Sequence, residues 1–185
     1  SAGKYRNVEL YATLLRVAMT ISSSSKSTVS ASVLRQAMSY YLTGVTVVTM
    51  TKPNGEPYGL TVNSFNSVSL NPPLILWSLD NSNSQLAFFE NATGYAINIM
   101  AADQGQICRR FASQENDRFD GVDWGFGEFG QPLISNALAH IECWPWQVYN
   151  GGDHTIFVGE VASAQHSPNR AAAAFFKGQL GQYKM

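Results

Sequence analysis

At 185 residues the chain is long enough for one domain that buries about 70% of the surface its unfolded form would expose. Charged residues make up 14% of the sequence and hydrophobic residues 45%, a balance that favours a large buried fraction and an oligomer that covers part of its surface. The formal net charge of −1 argues against nucleic acid as a partner, which requires a basic face, and no apolar run approaches the ~20 residues of a membrane span.

The first 31 residues are predicted to form a helical arm and a serine-rich linker. Val8, Tyr11 and Leu15 recur at helical spacing, which favours an amphipathic helix over residues 7–21. The ISSSSKS stretch that follows has the composition of a flexible linker. An arm that packs on the domain or on a partner subunit is one interpretation, and a tail introduced by cloning is the other. The domain itself is expected over residues 32–185.

The domain is predicted to begin with a helix and a β-hairpin. Ser32 suits the N-cap of a helix over residues 33–42, and Gly44 is placed to end that helix. Residues 45–51 (VTVVTMT) are β-branched and apolar, as in a buried strand. The NG dipeptide at residues 54–55 is typical of a tight hairpin turn, so this strand is expected to pair with the next one.

Residues 59–73 (GLTVNSFNSVSLNPP) are the most informative stretch, predicted to form one strand that bends into a second. The apolar residues Leu60, Val62, Val68 and Leu70 all fall on even positions, as in a half-buried strand. The other face is rich in Ser, Thr and Asn and carries no charge. Such a face suits a ligand with many hydroxyl and carbonyl groups, and an edge strand kept soluble by Ser and Thr is the alternative.

The rest of the domain is predicted to be mainly β with short helices. Strands are expected over residues 74–79, 95–100, 137–143 and 154–165, and short helices over 85–90 and 103–111. Residues 112–135 are interpreted as a long ordered loop. A last short helix is predicted from Ser167 onwards, with Ala172, Phe175 and Phe176 facing the core. About six strands without a βαβ repeat favour a closed antiparallel β-barrel of Greek-key type.

The local motifs weigh against several classes of site. Residues 125–130 (GFGEFG) match GxGxxG, but no strand precedes them and no helix follows, so a dinucleotide fingerprint is rejected. His154 follows a Gly-Gly-Asp turn at the start of a strand, where it either orients a ligand or is structural. His140 and His166 show no metal-ligand spacing. Without a nucleophile elbow or paired catalytic carboxylates, an enzyme of this sequence would rely on a bound cofactor.

The two cysteines bear on the compartment. Cys108 and Cys143 are too few and too far apart for a disulfide framework or a CxxC zinc site. A reducing, cytoplasmic location is therefore expected.

Several of these stretches together resemble the flavin reductase-like family, the reductases of two-component flavin monooxygenases built on the FMN-binding split barrel. The resemblance rests on GVTVVT from residue 44, on GLTVNSFNSVSLNPPL from residue 59, on Asn98, and on GDHTIFVGEV from residue 152. It covers about residues 32–166 in the same order and similar spacing. It implies a homodimer with the flavin, FMN or FAD, at or near the subunit interface.

The resemblance also implies roles for individual residues. Thr61, Val62, Asn63 and Ser64 would hold the isoalloxazine edge and the ribityl chain, and His154 would lie beside the nicotinamide of NADH or NADPH. The remaining cofactor-binding candidates are Ser82, Asn83 and Ser84 near the phosphate, Asn98 from the shared motif, and Arg109, Arg110 or Arg118 as the basic residue. These arginines are considered because the loop at residues 81–84 lacks the Lys or Arg that is common in the family.

The function expected from the resemblance is an NAD(P)H:flavin oxidoreductase that supplies reduced flavin to a separate oxygenase. Two alternatives stay open at this point. One is a flavoprotein that retains its flavin and passes electrons to a protein partner, or a related oxidase. The other is a non-catalytic barrel that binds flavin or another polar ligand.

Overall fold

The computed structural model describes residues 29–115, 117–167 and 170–183. The predicted arm and linker therefore lie almost entirely outside the described residues. The chain divides into two units between Met38 and Ser39. In the first unit, helix α1 spans Ala31–Met38, and the Ser30 hydroxyl accepts a hydrogen bond from the Val33 amide at 3.4 Å. This helix was predicted over residues 33–42, so it begins two residues and ends four residues earlier than expected. Its cap is Ser30 instead of Ser32, because the two serines are equally good capping residues.

The second unit is built mainly from β-strands, as the sequence predicted. In chain order the strands are β1 (Thr43–Gly44), β2 (Thr46–Thr51), β3 (Pro57–Val62), β4 (Asn66–Leu70), β5 (Pro73–Asp80), β6 (Tyr95–Ile99), β7 (Trp124–Phe126), β8 (Pro132–Ile134), β9 (Ala139–Asn150), β10 (His154–His166), β11 (Ala172–Phe176) and β12 (Gln179–Tyr183). The helices are α2 (Leu86–Glu90) and α3 (Gly105–Ala112), with a 3-10 turn at Ala102–Gln104. Among the described residues, none of the helices is long and apolar enough to span a membrane.

A seven-stranded antiparallel sheet forms the centre of this unit, in the order β3-β2-β6-β9-β10-β5-β4. The two edge strands, β3 and β4, are consecutive in the chain and are joined by residues 63–65 alone. Six strand spacings would separate the edges of a flat sheet by about 29 Å. The four Cα–Cα steps from Val62 to Asn66 span at most about 14 Å. The sheet must therefore curl until its two edges approach each other.

No ladder of hydrogen bonds joins β3 to β4 among the described strands, so the sheet is open where its edges meet. The prediction of a closed barrel is therefore wrong at this seam, while the prediction of a mainly β fold is confirmed. The physical reason is the bend at residues 63–65, where Ser64 turns to β5. Its hydroxyl hydrogen-bonds to the Ser78 amide at 3.0 Å and to the Ser78 carbonyl at 3.2 Å. A side chain thus takes the place of backbone pairing at this point.

Strand β2 is buried on both faces and separates two hydrophobic cores. Val48 faces the core enclosed by the curled sheet, where Trp77 stacks on Phe157 with ring centroids 4.5 Å apart. Val47 faces the second core, which includes Phe111 of α3. Because α3 packs against this second core, which β2 helps to form, the helix is held beside the end of β3.

The predicted C-terminal helix is wrong. Residues Ala172–Phe176 form β11, which pairs with β1 and, through a tight turn, with β12. The turn residues Lys177 and Gly178 have φ values of 50° and 76°, which suit glycine and end a regular element. The alanine run favours a helix locally, but strand pairing and the burial of Ala173 and Ala174 decide the outcome.

The loop predicted over residues 112–135 contains the β7–β8 hairpin and accounts for the GxGxxG match. The buried carboxylate of Glu142 accepts hydrogen bonds from the amides of Glu128 and Phe129, both at 3.0 Å. A Cβ on Gly127 would lie 2.5 Å from that carboxyl group. Gly127 and the two amides that follow it therefore enclose a carboxylate of the protein itself, in agreement with the rejection of a dinucleotide fingerprint.

Candidate functional site

The end of β3 is the part of the predicted polar stretch that borders a cavity. Val62 is buried in the core, Thr61 is half-buried and Asn63 is exposed. The Thr61 hydroxyl donates to the Cys108 carbonyl at 2.7 Å and so ties β3 to α3. Because β3 is an edge strand, part of its backbone N–H and C=O groups has no ladder partner on the outer side. The strand end thus offers backbone groups and the Asn63 amide to a ligand.

We call this space the strand-end cavity, which has a volume of about 290 Å³. Its walls come from β3, from α3 and from the β11–β12 hairpin, and its lining residues are Val45, Thr61, Val62, Asn63, Cys108, Arg109, Ala112, Phe175 and Leu180. The walls are mostly apolar, with the polar Asn63 and a single charged residue, Arg109. A cavity with these walls fits a ligand that has a flat apolar ring system, a polar edge and an anionic substituent.

Of the three arginines considered from sequence, Arg109 alone has an uncommitted guanidinium among the described residues. Arg110 pairs with the Glu115 carboxylate at 3.3 Å and donates to the Asp120 carbonyl. Arg118 donates to the carbonyls of Gly59 and Ser113 and to the Tyr58 hydroxyl, at 2.6–3.1 Å. Arg118 therefore holds β3 to the end of α3, and Arg109 is the arginine that lines the strand-end cavity.

His154 begins β10 and lies at the same end of the sheet as Ser64. It pairs with Asp80 at the end of β5, while Ser64 hydrogen-bonds two residues earlier, to Ser78, on the opposite side of β5. The two residues are thus separated by two strand spacings, about 10 Å, and by about 7 Å along the strands. The structure brings His154 to the same end of the sheet as Thr61, Asn63 and Ser64, but His154 does not line the strand-end cavity.

The hydrogen bonding of His154 fixes its tautomer. Nδ1 lies 2.8 Å from the Asp153 carboxylate, and the imidazole side chain is 43% exposed. An ionised carboxylate only accepts hydrogen bonds, so Nδ1 carries a proton and donates it. In the neutral ring Nε2 is then an acceptor directed away from Asp153. His154 is therefore an oriented hydrogen-bonding group at this end of the sheet.

The loop at residues 80–84 is held in shape by its own side chains. The Asp80 carboxylate accepts hydrogen bonds from the Ser82 hydroxyl and amide, both at 2.7 Å. These bonds, with a smaller contribution from His154, lower the pKa of Asp80 below its usual value. The Asn83 side chain accepts from the Gln85 amide at 2.9 Å, and Ser84 contacts the Gln85 side chain at 3.3 Å. Phosphate binding by Ser82, Asn83 and Ser84 stays a prediction.

Asn98 is fully buried in β6 and its side-chain amide is used by the protein. It donates to the Val47 carbonyl and to the Thr49 hydroxyl, both at 3.0 Å, and accepts from the Ile134 amide at 2.8 Å. These bonds join β6, β2 and β8 across the interior. The arrangement favours a structural role, and direct cofactor binding by Asn98 stays a prediction.

Five lining residues of the cavity were missed from sequence as site residues, namely Val45, Cys108, Ala112, Phe175 and Leu180. Phe175 was predicted on a C-terminal helix, and Leu180 was not considered. Both come from the β11–β12 hairpin and form one apolar wall of the strand-end cavity. The lysine–glycine pair at residues 177–178, between two stretches of strand-forming residues, was the signal for this hairpin.

Comparison with known proteins identifies the family. The flavin reductase like domain matches residues 38–184. The FMN reductase (NADH) SmoA of Agrobacterium fabrum (strain C58) is 48% identical over 132 residues, 71% of this chain and 75% of that protein. The flavin-dependent monooxygenase reductase subunit HsaB of Rhodococcus jostii (strain RHA1) is 34% identical over 145 residues, 78% of this chain and 74% of that protein.

A solved structure agrees with the sequence comparisons. The Streptomyces globisporus C-1027 NADH:FAD oxidoreductase SgcE6, in complex with NAD and FAD fragments, matches with a TM-score of 0.78 and 41% identity. The match covers 82% of this chain and 91% of that one. The chain belongs to the flavin reductase-like family, as its sequence motifs predicted.

The interior role of Asn98 predicts a large effect on stability. Asn98→Ala removes the side-chain partner of the buried Val47 carbonyl and Ile134 amide, while the Thr49 hydroxyl keeps its bond to the Pro132 carbonyl. We expect the free energy of unfolding to fall by about 2–4 kcal/mol. Asn63→Ala, at an exposed position, is the matched control and should stay within about 0.5 kcal/mol of wild type. Urea unfolding measures both, and equal stabilities of the two variants would contradict this role.

Proposed function

We propose that this protein oxidises NADH or NADPH, reduces FMN or FAD, and supplies the reduced flavin to a separate oxygenase. The family and the relatives support this directly, since they are NADH-dependent flavin reductases or reductase subunits of monooxygenases. The predictions of the family, the enzyme class and the cofactors are thereby confirmed. The observation that carries the proposal is the strand-end cavity, in which apolar walls adjoin the Asn63 amide and the Arg109 guanidinium.

Different residues of the cavity would contact different parts of the flavin. Val45, Phe175 and Leu180 provide apolar contact for a ring system. Asn63 and the free edge of β3 provide hydrogen bonds to ring carbonyls and nitrogens and to ribityl hydroxyls. Arg109 would face the phosphate. When bound, the flavin supplies the acceptor for the hydride.

His154 would orient the nicotinamide from the edge of the site. Its Nδ1–H is fixed on Asp153, so Nε2 can accept a hydrogen bond from the carboxamide N–H of the nicotinamide. This role requires no proton transfer, because the reaction moves a hydride between two cofactors and the protein's contribution is positioning.

A homodimer is the assembly that the outer face of the sheet supports. Side chains that alternate with the buried residues of β5 and β10 point away from the core, and they include Leu74, Leu76, Ile156 and Val158. A sheet face exposed to water usually carries polar residues instead. A second copy presents the same apolar face, so one two-fold interface covers both surfaces at once. On β10, His154 points to the same side as Ile156 and Val158, and it therefore lies at the end of this face.

Three finer features of the family are also part of the proposal. The curled sheet with its open seam between β3 and β4 would be the split barrel, and residues of the edge strand β3 and of β5 share one core, in support of it. Residues 32–185 would form the reductase domain, with residues 1–31 as an arm and linker. A cytoplasmic location is supported by Cys108 and Cys143, which are both buried free thiols.

The catalytic proposal predicts turnover of free flavin. Oxidation of NADH and of NADPH should be followed in air with added FMN, FAD or riboflavin and without any oxygenase. We expect multiple turnovers of the added flavin and a clear preference for one nicotinamide nucleotide. A protein that purifies with flavin and gives little turnover of added flavin would instead be a retained-flavin electron carrier, and one that neither binds nor reduces flavin would overturn the proposal.

The orienting role of His154 predicts a selective defect. His154→Ala should raise the KM for NADH roughly 10-fold, the loss of about one hydrogen bond, and leave the flavin Kd near the wild-type value. His166→Ala, on an exposed residue at the other end of β10, is the control. Steady-state kinetics and flavin fluorescence titration separate the two effects. Equal losses of NADH use and flavin affinity would refute this assignment.

The dimer proposal predicts that charge on the outer sheet face dissociates the protein. Val158→Arg should shift the wild-type dimer to monomer in size-exclusion chromatography with light scattering, because burying an unpaired guanidinium is costly. Leu70→Arg is the control, since Leu70 on β4 is 95% exposed. A wild-type protein that is monomeric at micromolar concentration, or a Val158→Arg variant that stays dimeric, would contradict the interface.

A further inference from the structure

Arg109 lies where two cavities meet. It lines the strand-end cavity, and it also lines a larger groove of about 730 Å³ on the outer side of α3, which we call the helix groove. The residues of the helix groove are Gln106, Ile107, Arg109, Arg110, Ser113, Glu115, Asp120, Gly121 and Val122. A ligand that fills the strand-end cavity and extends past Arg109 enters the helix groove.

The guanidinium of Arg109 is placed to meet an anion at this junction. It lies back over Gly105, where an added Cβ would be 3.8 Å from Nη1, and beside Leu180. It has no hydrogen bond or ion pair with any residue that the structure describes. A bidentate arginine suits phosphate oxygens, and no other charged residue lines the strand-end cavity to compete with it.

The helix groove, in contrast, adds no unpaired positive charge beyond that of Arg109 itself. Its two arginines, Arg109 and Arg110, are equal in number to its two carboxylates, those of Glu115 and Asp120. Arg110 is held by the Glu115 carboxylate at 3.3 Å and by the Asp120 carbonyl. A second phosphate in this groove would meet a charge-balanced surface and would gain little from it.

We propose that Arg109 makes this protein selective for phosphorylated flavins, with FMN bound at least as tightly as FAD. This inference rests on the proposed function and names its flavin. The phosphate of FMN is a monoester with a charge of about −1.5 to −2 at pH 7. In FAD the same phosphate is joined to the ribityl chain by an ester and to the AMP phosphate by an anhydride, so it carries a single negative charge. The added AMP half would extend past Arg109 into the helix groove. Riboflavin offers Arg109 no anion.

The test measures binding rather than turnover. Dissociation constants of riboflavin, FMN and FAD should be determined for the flavin-free protein by fluorescence titration. We expect FMN to bind roughly 10- to 100-fold more tightly than riboflavin, as for a charge-assisted hydrogen-bonded pair, and FAD to bind no more tightly than FMN. Raising the salt concentration should weaken the binding of FMN and leave that of riboflavin nearly unchanged, because Arg109 is exposed.

Three variants make the assignment specific. Arg109→Met should bring the FMN and riboflavin constants within about 2-fold of each other, and Arg109→Lys should restore part of the difference, as a point charge without the bidentate geometry. Arg35→Met removes the same charge from α1, which lines neither cavity, and should change none of the constants. Persistence of the wild-type preference in Arg109→Met would overturn the proposal.

A gain of affinity tests the charge balance of the helix groove. Glu115→Gln releases Arg110 from its ion pair and leaves an unmatched cation in the groove. We expect this variant to tighten FAD binding several-fold while FMN and riboflavin change little. Wild-type binding of FAD 10-fold tighter than FMN, or an unchanged FAD constant in Glu115→Gln, would contradict the inference. Those results would still leave a flavin-binding reductase, whereas failure to bind any of the three flavins would refute the proposed function itself.

Discussion

The three-residue connection between β3 and β4 is the constraint on which the rest of the structure depends. It joins the two edges of a seven-stranded sheet, so the sheet has to curl. The curl places apolar residues from the inner side of six of the seven strands, all but β4, in a shared interior around Trp77 and Phe157. It also leaves the end of β3 free of a ladder on one side, because Ser64 turns away to hydrogen-bond with Ser78.

The candidate site results from this unpaired end of β3. Thr61 binds the Cys108 carbonyl and holds α3 across the strand end, while Arg118 secures the far end of that helix to Gly59. A rigid cavity results between strand, helix and the β11–β12 hairpin, with Arg109 as its only charge. Under the proposed function, this site would position a ring, a phosphate and a nicotinamide with few catalytic groups, which suits chemistry that belongs to the cofactors.

Local sequence predicted the strands of the seven-stranded sheet well and the uses of their polar residues poorly. Alternation located β3 and β4, an apolar run located β5, and the shared motifs located the family, because each of these signals lies within a short stretch. Sequence alone could not show that Arg109 is uncommitted while Arg110 and Arg118 bind other groups of the protein, because this depends on the tertiary partners of each guanidinium. Asn98 matched a family motif, yet its amide is used inside the core. The β11–β12 hairpin was missed because pairing with β1 overrides the helix preference of an alanine run.

Amide hydrogen exchange with and without FMN tests the central claim most directly. The account predicts that FMN slows exchange in peptides that cover residues 59–66 and 105–113, where β3 ends and α3 borders the cavity. Peptides that cover the β7–β8 hairpin with its GFGEFG turn should exchange at the same rate in both samples. Protection of that turn instead, with residues 59–66 unaffected by saturating FMN, would contradict the account.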